Sequence, residues 1–323
     1  MLPDTHNKVP AILLLAVMVA FLFTAAAGCA GGPQADGICS AEPQAAAGNP
    51  GTVAAEDPSW QQKGMPDDRY LAKQWSYQSF GGMTGEDSDG QVLVAVLDTG
   101  IASVHEDIIG KVIGEVNFTE SFTTSDLRGH GTQIAGIIGA HVNNSLGIAG
   151  LAPHARLLNV KVADDTGRVW PADMASGIIW AADHGARVIN VSLCLGNGSQ
   201  ALEEAVEYAW KKGAVIVAAA GNCQMQAQAP ACYPHVIAVG ALDASYGIWQ
   251  RSNQGECVNA YAPGVDIYST LPGNSYGYIS GTSAAAAYVS AAAAEMLTYT
   301  ADVNGNGYVN DEVFQQITSK FDL

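Results

Sequence analysis

From Gln91 onward, short apolar runs alternate along the chain with stretches of helical spacing. Val92 to Leu97, Ala155 to Val162, Ala186 to Ser192, Ala214 to Ala220 and Val236 to Ala241 have the length and β-branched content of buried strands. Between them, His130 to Val142, Pro171 to His184 and Gln200 to Gly213 carry apolar residues at helical intervals. This alternation predicts an α/β fold: a doubly wound, mainly parallel sheet with helices on both faces and function at the carboxyl ends of the strands. The Ala-rich stretch Thr282 to Thr300 reads as a buried helix late in the domain, its small side chains permitting close packing. No internal repeat is visible.

The first 90 residues pattern differently. Ala11 to Gly28 is almost wholly apolar, follows a segment holding Lys8 and ends in small residues, so residues 1–28 read as a secretory signal peptide. Cys29 directly after Ala26-Ala27-Gly28 resembles a bacterial lipoprotein cleavage box. Three fates stay open: cleavage and secretion, lipid attachment at Cys29, or an uncleaved membrane anchor. Residues 29–60, rich in Ala, Gly, Pro, Glu and Gln without apolar periodicity, read as a flexible linker or tether, too short and polar for a folded propeptide. Residues 61–323 remain as one folded domain.

Composition narrows the partners. A formal charge of −17 with no Lys/Arg-rich run argues against nucleic acid. Six cysteines in an exported chain permit disulfides. Cys223 and Cys232 share a short Pro-containing loop and make the favoured pair, while Cys39, Cys194 and Cys257 have no evident partners. The histidines His105, His141, His154, His184 and His235 lack paired metal spacing and read as surface or packed residues.

Three motifs carry chemistry: Leu97-Asp98-Thr99-Gly100 ending the first strand, Gly129-His130-Gly131-Thr132 opening a helix, and Gly281-Thr282-Ser283-Ala284 opening the Ala-rich helix. A serine hydroxyl needs an imidazole to take its proton, and the imidazole needs an acceptor that fixes its tautomer. Asp98, His130 and Ser283 meet those needs. A serine on the first turn of a helix also meets free backbone N–H groups that can hold an oxyanion.

On these motifs, together with Val188-Ile189-Asn190-Val191-Ser192-Leu193, Ala218-Ala219-Ala220-Gly221-Asn222 and Ala262-Pro263-Gly264, the chain resembles the subtilisin family of serine proteases, in its thermitase-like branch. The resemblance runs from about Pro66 to Ala294. It implies a peptidase domain over 61–323, hydrolysis of polypeptides through an acyl-enzyme on Ser283, and Asn222 in the oxyanion hole. It also implies substrate pairing with strands around Ser192, Leu193 and Cys194 and around Ala218, Ala219 and Gly221, and a monomeric, secreted or envelope-anchored enzyme. A structural calcium is implied at Asp68, Asp107, the Asn144 side chain and the carbonyls of Val142, Leu146 and Ile148.

The chain departs from the family pattern at Gln133, Cys194, Leu195, Ala284, Ala287 and Tyr288, which supports a rival reading as a peptide-binding pseudoenzyme. Asp98-Thr99-Gly100 is also the signature of aspartic proteases, but that class needs two such carboxylates and only one copy exists. Asp302, Asn304, Asn306 and Gly307 imitate half an EF-hand loop, with Val313 where the closing carboxylate belongs. The plainer expectation there is a loop before a short helix capped by Asn310.

Overall fold

Seven parallel strands form the centre of the structure, a computed structural model that describes residues 65–80 and 91–321. The segments read from sequence as a signal peptide and a tether, with Cys29 and Cys39, lie outside the described residues. In chain order the strands are β1 (Leu93–Asp98), β2 (Val112–Asn117), β3 (Arg156–Lys161), β4 (Val188–Val191), β5 (Val215–Ala219), β6 (Val236–Leu242) and β7 (Val258–Pro263). Their spatial order is β2-β3-β1-β4-β5-β6-β7. A separate antiparallel hairpin joins β8 (Ile267–Leu271) to β9 (Ser275–Ile279).

Alternation along β1 explains the layering. Val94 and Val96 enter one apolar core with α2 (His130–Gly139), α5 (Thr282–Met296) and α6 (Asn310–Lys320). Ala95 and Leu97 enter the other, with α3 (Pro171–Asp183) and α4 (Gln200–Lys211). Period-two side chains on a strand sandwiched by helices leave both faces apolar, which is why these strands read as continuous runs. A further short helix, α1 (Trp75–Phe80), precedes the sheet, and among the described residues no helix is long and apolar enough to cross a membrane.

The chain winds from β1 outward to β2 and β3, then returns past β1 to β4. The carboxyl ends of β1 and β4 therefore flank the point where the winding reverses, the place where α/β sheets form clefts. Asp98 ends β1 and Ser192 follows β4.

Two details differ from the sequence reading. Cys232 bonds Cys257, 25 residues away, rather than Cys223, and Cys223 is itself disulfide-bonded. The bridge ties the loop after β5 to the start of β7, a pairing across the sheet edge that proximity in sequence does not reveal. Asn310 does not cap α6: it is the helix's first residue, buried, and its amide donates to the Trp210 carbonyl at 3.1 Å, while Val309 holds the cap position without a side-chain bond.

Candidate active site

Asp98 is fully buried at the end of β1, and its Oδ1 accepts two hydrogen bonds at 2.7 Å, from the Thr99 N–H and from His130 Nδ1. The bond from His130 fixes the tautomer of the neutral ring: Nδ1 carries the proton, leaving the lone pair on Nε2. Burial pulls the imidazole's pKa down, but the charge of Asp98, its hydrogen bond and the more distant charge of Asp126 outweigh this and raise it above the ordinary value.

His130 is the first residue of α2, and glycine permits its close approach to β1. A Cβ on Gly131 would stand 2.1 Å from the Gly100 carbonyl and 3.0 Å from the Asp98 Cβ. No other residue fits between the loop after Asp98 and the helix that begins at His130.

Ser283 lies in the first turn of α5, which packs against α2 and the strands β4 to β7. Its hydroxyl donates to the Ser192 carbonyl at 3.0 Å, and the Ser192 hydroxyl donates to the Ser283 carbonyl at 3.2 Å. Asn190 donates to Ser192 Oγ, and Ser290 donates to Asn190, so a buried polar chain runs beneath Ser283. Ser283's hydroxyl is thus held by Ser192 rather than by His130; catalytic hydrogen bonds of this kind commonly tighten only when substrate binds.

Asn222 stands beside the same helix start. Its Oδ1 accepts from the Thr282 N–H at 2.8 Å and from the Thr282 hydroxyl at 3.0 Å, which assigns the amide's two ends and makes Nδ2 its donor end. Gly221 before it adopts φ +109°, and a Cβ there would meet the Asn253 amide at 2.3 Å. Asn253 was not singled out from sequence. Buried after a loop with no motif of its own, it donates to the Ala220 carbonyl, accepts from the Cys223 and Met225 N–H groups and so shapes the loop that carries Asn222.

The candidate substrate strands lie side by side. Val191 pairs with Ala218 in the sheet, and Ser192, Leu193, Cys194, Ala218, Ala219 and Gly221 are all buried. The Cys194 thiol donates to the Ala219 carbonyl at 3.3 Å, and burial pushes its pKa up to about 12, so it sits there as an inert neutral group. The Leu195 N–H bonds the Ala229 carbonyl at 2.9 Å. Of the other departures, Gln133 donates to the Tyr278 carbonyl, and the Tyr288 hydroxyl bonds the Ser76 hydroxyl.

Asp68 and Asp107 are buried 39 positions apart in sequence and brought to one loop, 142–148. Asp107 accepts from the Asn144 amide at 2.9 Å and from the Ile148 N–H at 2.8 Å. Asp68 Oδ2 accepts from the Asn143 N–H at 3.0 Å, while its buried Oδ1 has no hydrogen-bond partner. Burial raises the Asp68 pKa; two backbone N–H groups oppose it, and the Asp107 and Asp67 charges add to it. An orphaned, buried carboxylate oxygen beside a second buried acid fits a hard cation. Among the described residues no cluster of three or more His, Cys, Asp or Glu gathers, so amide and carbonyl oxygens would supply most of such a shell.

The EF-hand-like loop closes on itself instead. Asp302 accepts from the Gly305 and Gly307 N–H groups, Glu312 accepts from the Val303 and Asn304 N–H groups, and Val313 is fully buried in the core.

A buried acid hydrogen-bonded to a histidine at one helix start, with a serine and an asparagine beside another, on a doubly wound parallel sheet, has the residue types that hydrolases of the Asp-His-Ser class use. Residues 89–317 match the sequence model of the subtilase family, and the chain belongs to that family. It is 45% identical over 236 residues to a thermophilic serine proteinase of Bacillus sp. (strain AK1), a match covering 71% of this chain and 59% of that protein. It is 46% identical over 203 residues to thermitase of Thermoactinomyces vulgaris, covering 62% of this chain and 72% of that protein. A solved protease structure from Pseudoalteromonas arctica superimposes with a TM-score of 0.71 at 27% identity, over 79% of this chain and 92% of the other. The subtilisin resemblance read from the motifs and the doubly wound fold read from the alternation of strands and helices both stand.

Proposed function

We propose that the chain is a serine endopeptidase in which Ser283 attacks the peptide carbonyl, His130 takes its proton and Asp98 holds the imidazole. The observation that carries the reading is the 2.7 Å bond from His130 Nδ1 to Asp98, which leaves Nε2 unprotonated and directed away from the acid. Attack forms a bond from Ser283 Oγ to the carbonyl carbon and moves the serine proton to Nε2; collapse returns that proton to the leaving amine and leaves the acyl-enzyme. Water, deprotonated by the same imidazole, then bonds to the acyl carbon; the bond to Ser283 Oγ breaks, the imidazole returns the proton to that oxygen, and the acid leaves. Asn222 Nδ2 and the Ser283 N–H supply the oxyanion donors, the latter at the positive end of α5.

Polypeptide substrates are supported by the strands ending at Ser192 to Cys194 and Ala218 to Gly221, whose backbone groups can receive an extended peptide as an added strand. Such pairing gives affinity with little side-chain selectivity. Calcium at the 142–148 loop, held by Asp68, Asp107, Asn144 and the carbonyls of Val142, Leu146 and Ile148, would neutralise the two acids and join the N-terminal segment to the domain. It takes no part in the chemistry. Export rests on the apolar leader, with release or attachment through Cys29 decided by its processing.

A second reading, a peptide-binding protein without turnover, draws on the Ser283 hydroxyl bonding Ser192 rather than His130. Hydrolysis of a peptide anilide by the native chain but not by Ser283→Ala supports the enzyme; equal rates in the two proteins overturn it.

A further inference from the structure

Asp126 lies in the loop before α2 and is 1% exposed. Its carboxylate accepts five hydrogen bonds. Oδ1 takes the Thr99 hydroxyl at 2.9 Å, the Arg128 N–H at 2.9 Å and the Gly129 N–H at 2.8 Å; Oδ2 takes the Thr132 N–H at 2.9 Å and the Thr132 hydroxyl at 2.7 Å. The linkage extends one bond further on each side. The Gly131 N–H donates to Thr99 Oγ1 at 3.1 Å, and the Ala102 N–H donates to Thr132 Oγ1 at 3.0 Å.

The donors belong to two segments. Thr99 directly follows Asp98, and Gly129 and Thr132 flank His130. We propose that Asp126 is a positioning residue of the active site: it clamps the segment bearing the acid to the helix start bearing the base and so sets the Asp98–His130 geometry.

Chemistry favours this over an ordinary helix cap. A cap needs one acceptor for one or two amides, which a serine or asparagine serves. A buried full charge is a costly choice unless every lone pair is used. Here the partners are all N–H and O–H donors, no cationic side chain pairs with the carboxylate among the described residues, and the donors span both halves of the catalytic pair. The charges that bear on the imidazole are Asp98 from β1 and Asp126 and Arg128 from the loop before α2, and Asp126 adds to the upward pull of Asp98.

The proposal rests on the catalytic reading above, so its test has one arm that does not. Asp126→Asn puts an amide donor where two or three donors already point, and Thr99→Val removes only the hydroxyl that links the two segments, whereas Thr99→Ser restores it. Variants with near-native melting are assayed for turnover per folded molecule. A displacement of about 1 Å in a catalytic group costs on the order of a hundredfold, so kcat should fall roughly ten- to a hundredfold in Asp126→Asn and about tenfold in Thr99→Val, with KM within twofold and Thr99→Ser near native. In a Ser283→Ala background, which stops self-digestion, the His130 titration followed by NMR should move to lower pH on Asp126→Asn. Folded Asp126→Asn and Thr99→Val that keep native kcat, or an unmoved His130 titration, would overturn it. If the native chain hydrolyses nothing, the catalytic reading fails and the titration alone decides whether Asp126 acts on His130.

Discussion

Thr282 holds the side-chain oxygen of Asn222 with both its N–H and its hydroxyl, at 2.8 and 3.0 Å. The amide's orientation is therefore set before any substrate arrives, the condition under which a hydrogen-bond donor stabilises developing charge most strongly. Asn222→Ala should lower kcat about a hundred- to a thousandfold with KM little changed. Steady-state kinetics on a peptide anilide checks this; a loss confined to KM contradicts the role.

The raised pKa of His130 sets the acid limb of activity. Its imidazole must be neutral to accept the serine proton, so kcat/KM should rise with pH through a midpoint above the ordinary histidine value of about 6.5. A pH profile whose acid limb lies below that value counts against the Asp98 pairing as the dominant influence.

Asp68 gives a test of the calcium proposal in which the sign reverses. Because its folded pKa is raised, mainly by burial, the stability linked to it is present at low pH and is lost as pH rises through the folded pKa. At neutral pH in chelator, Asp68→Asn removes that strain and should melt above the native protein. In excess calcium the order should invert, since the native chain gains about 2.7 kcal/mol at a hundredfold excess over Kd and the variant gains less. The same order of melting temperatures in both solutions would sink the proposal.

The Cys232–Cys257 bridge closes 25 residues. A loop of that size limits the unfolded chain enough for the bond to contribute about 3 kcal/mol. A Cys232→Ser, Cys257→Ser protein should melt several degrees lower than native in calorimetry, and an unchanged melting temperature would show that the bridge adds nothing.

Strands β1, β3, β4, β5 and β6 were legible in the sequence because both of their faces are buried, which writes them as unbroken apolar runs. Strands β2 and β7 flank them at the sheet edges; Val112–Asn117 mixes half-buried and exposed positions and Val258–Pro263 ends in proline, so neither forms such a run. The hairpin β8–β9 is similarly masked by its exposed Ser275 and Tyr278. Asp98, His130 and Ser283 sat in motifs that chemistry could interpret, and Asn222 was reached only through the family resemblance. Asp126 and Asn253 sat in no such motif: Asp126 reaches back to the distant Thr99 hydroxyl and Asn253 to the Ala220, Cys223 and Met225 backbone, and such convergence in space has no local pattern. The Cys232–Cys257 pairing escaped for the same reason, since sheet topology rather than spacing brings those residues together.

The proposed hydrolysis depends on Ser283 being a nucleophile activated by His130. A fluorophosphonate reacts with such a serine and spares an ordinary hydroxyl, so the folded native chain, incubated with the reagent and digested, is examined by mass spectrometry. One stoichiometric adduct is expected on the peptide containing Ser283, lost in His130→Ala. No adduct on Ser283 in folded protein, or an adduct that persists undiminished in His130→Ala, would contradict it.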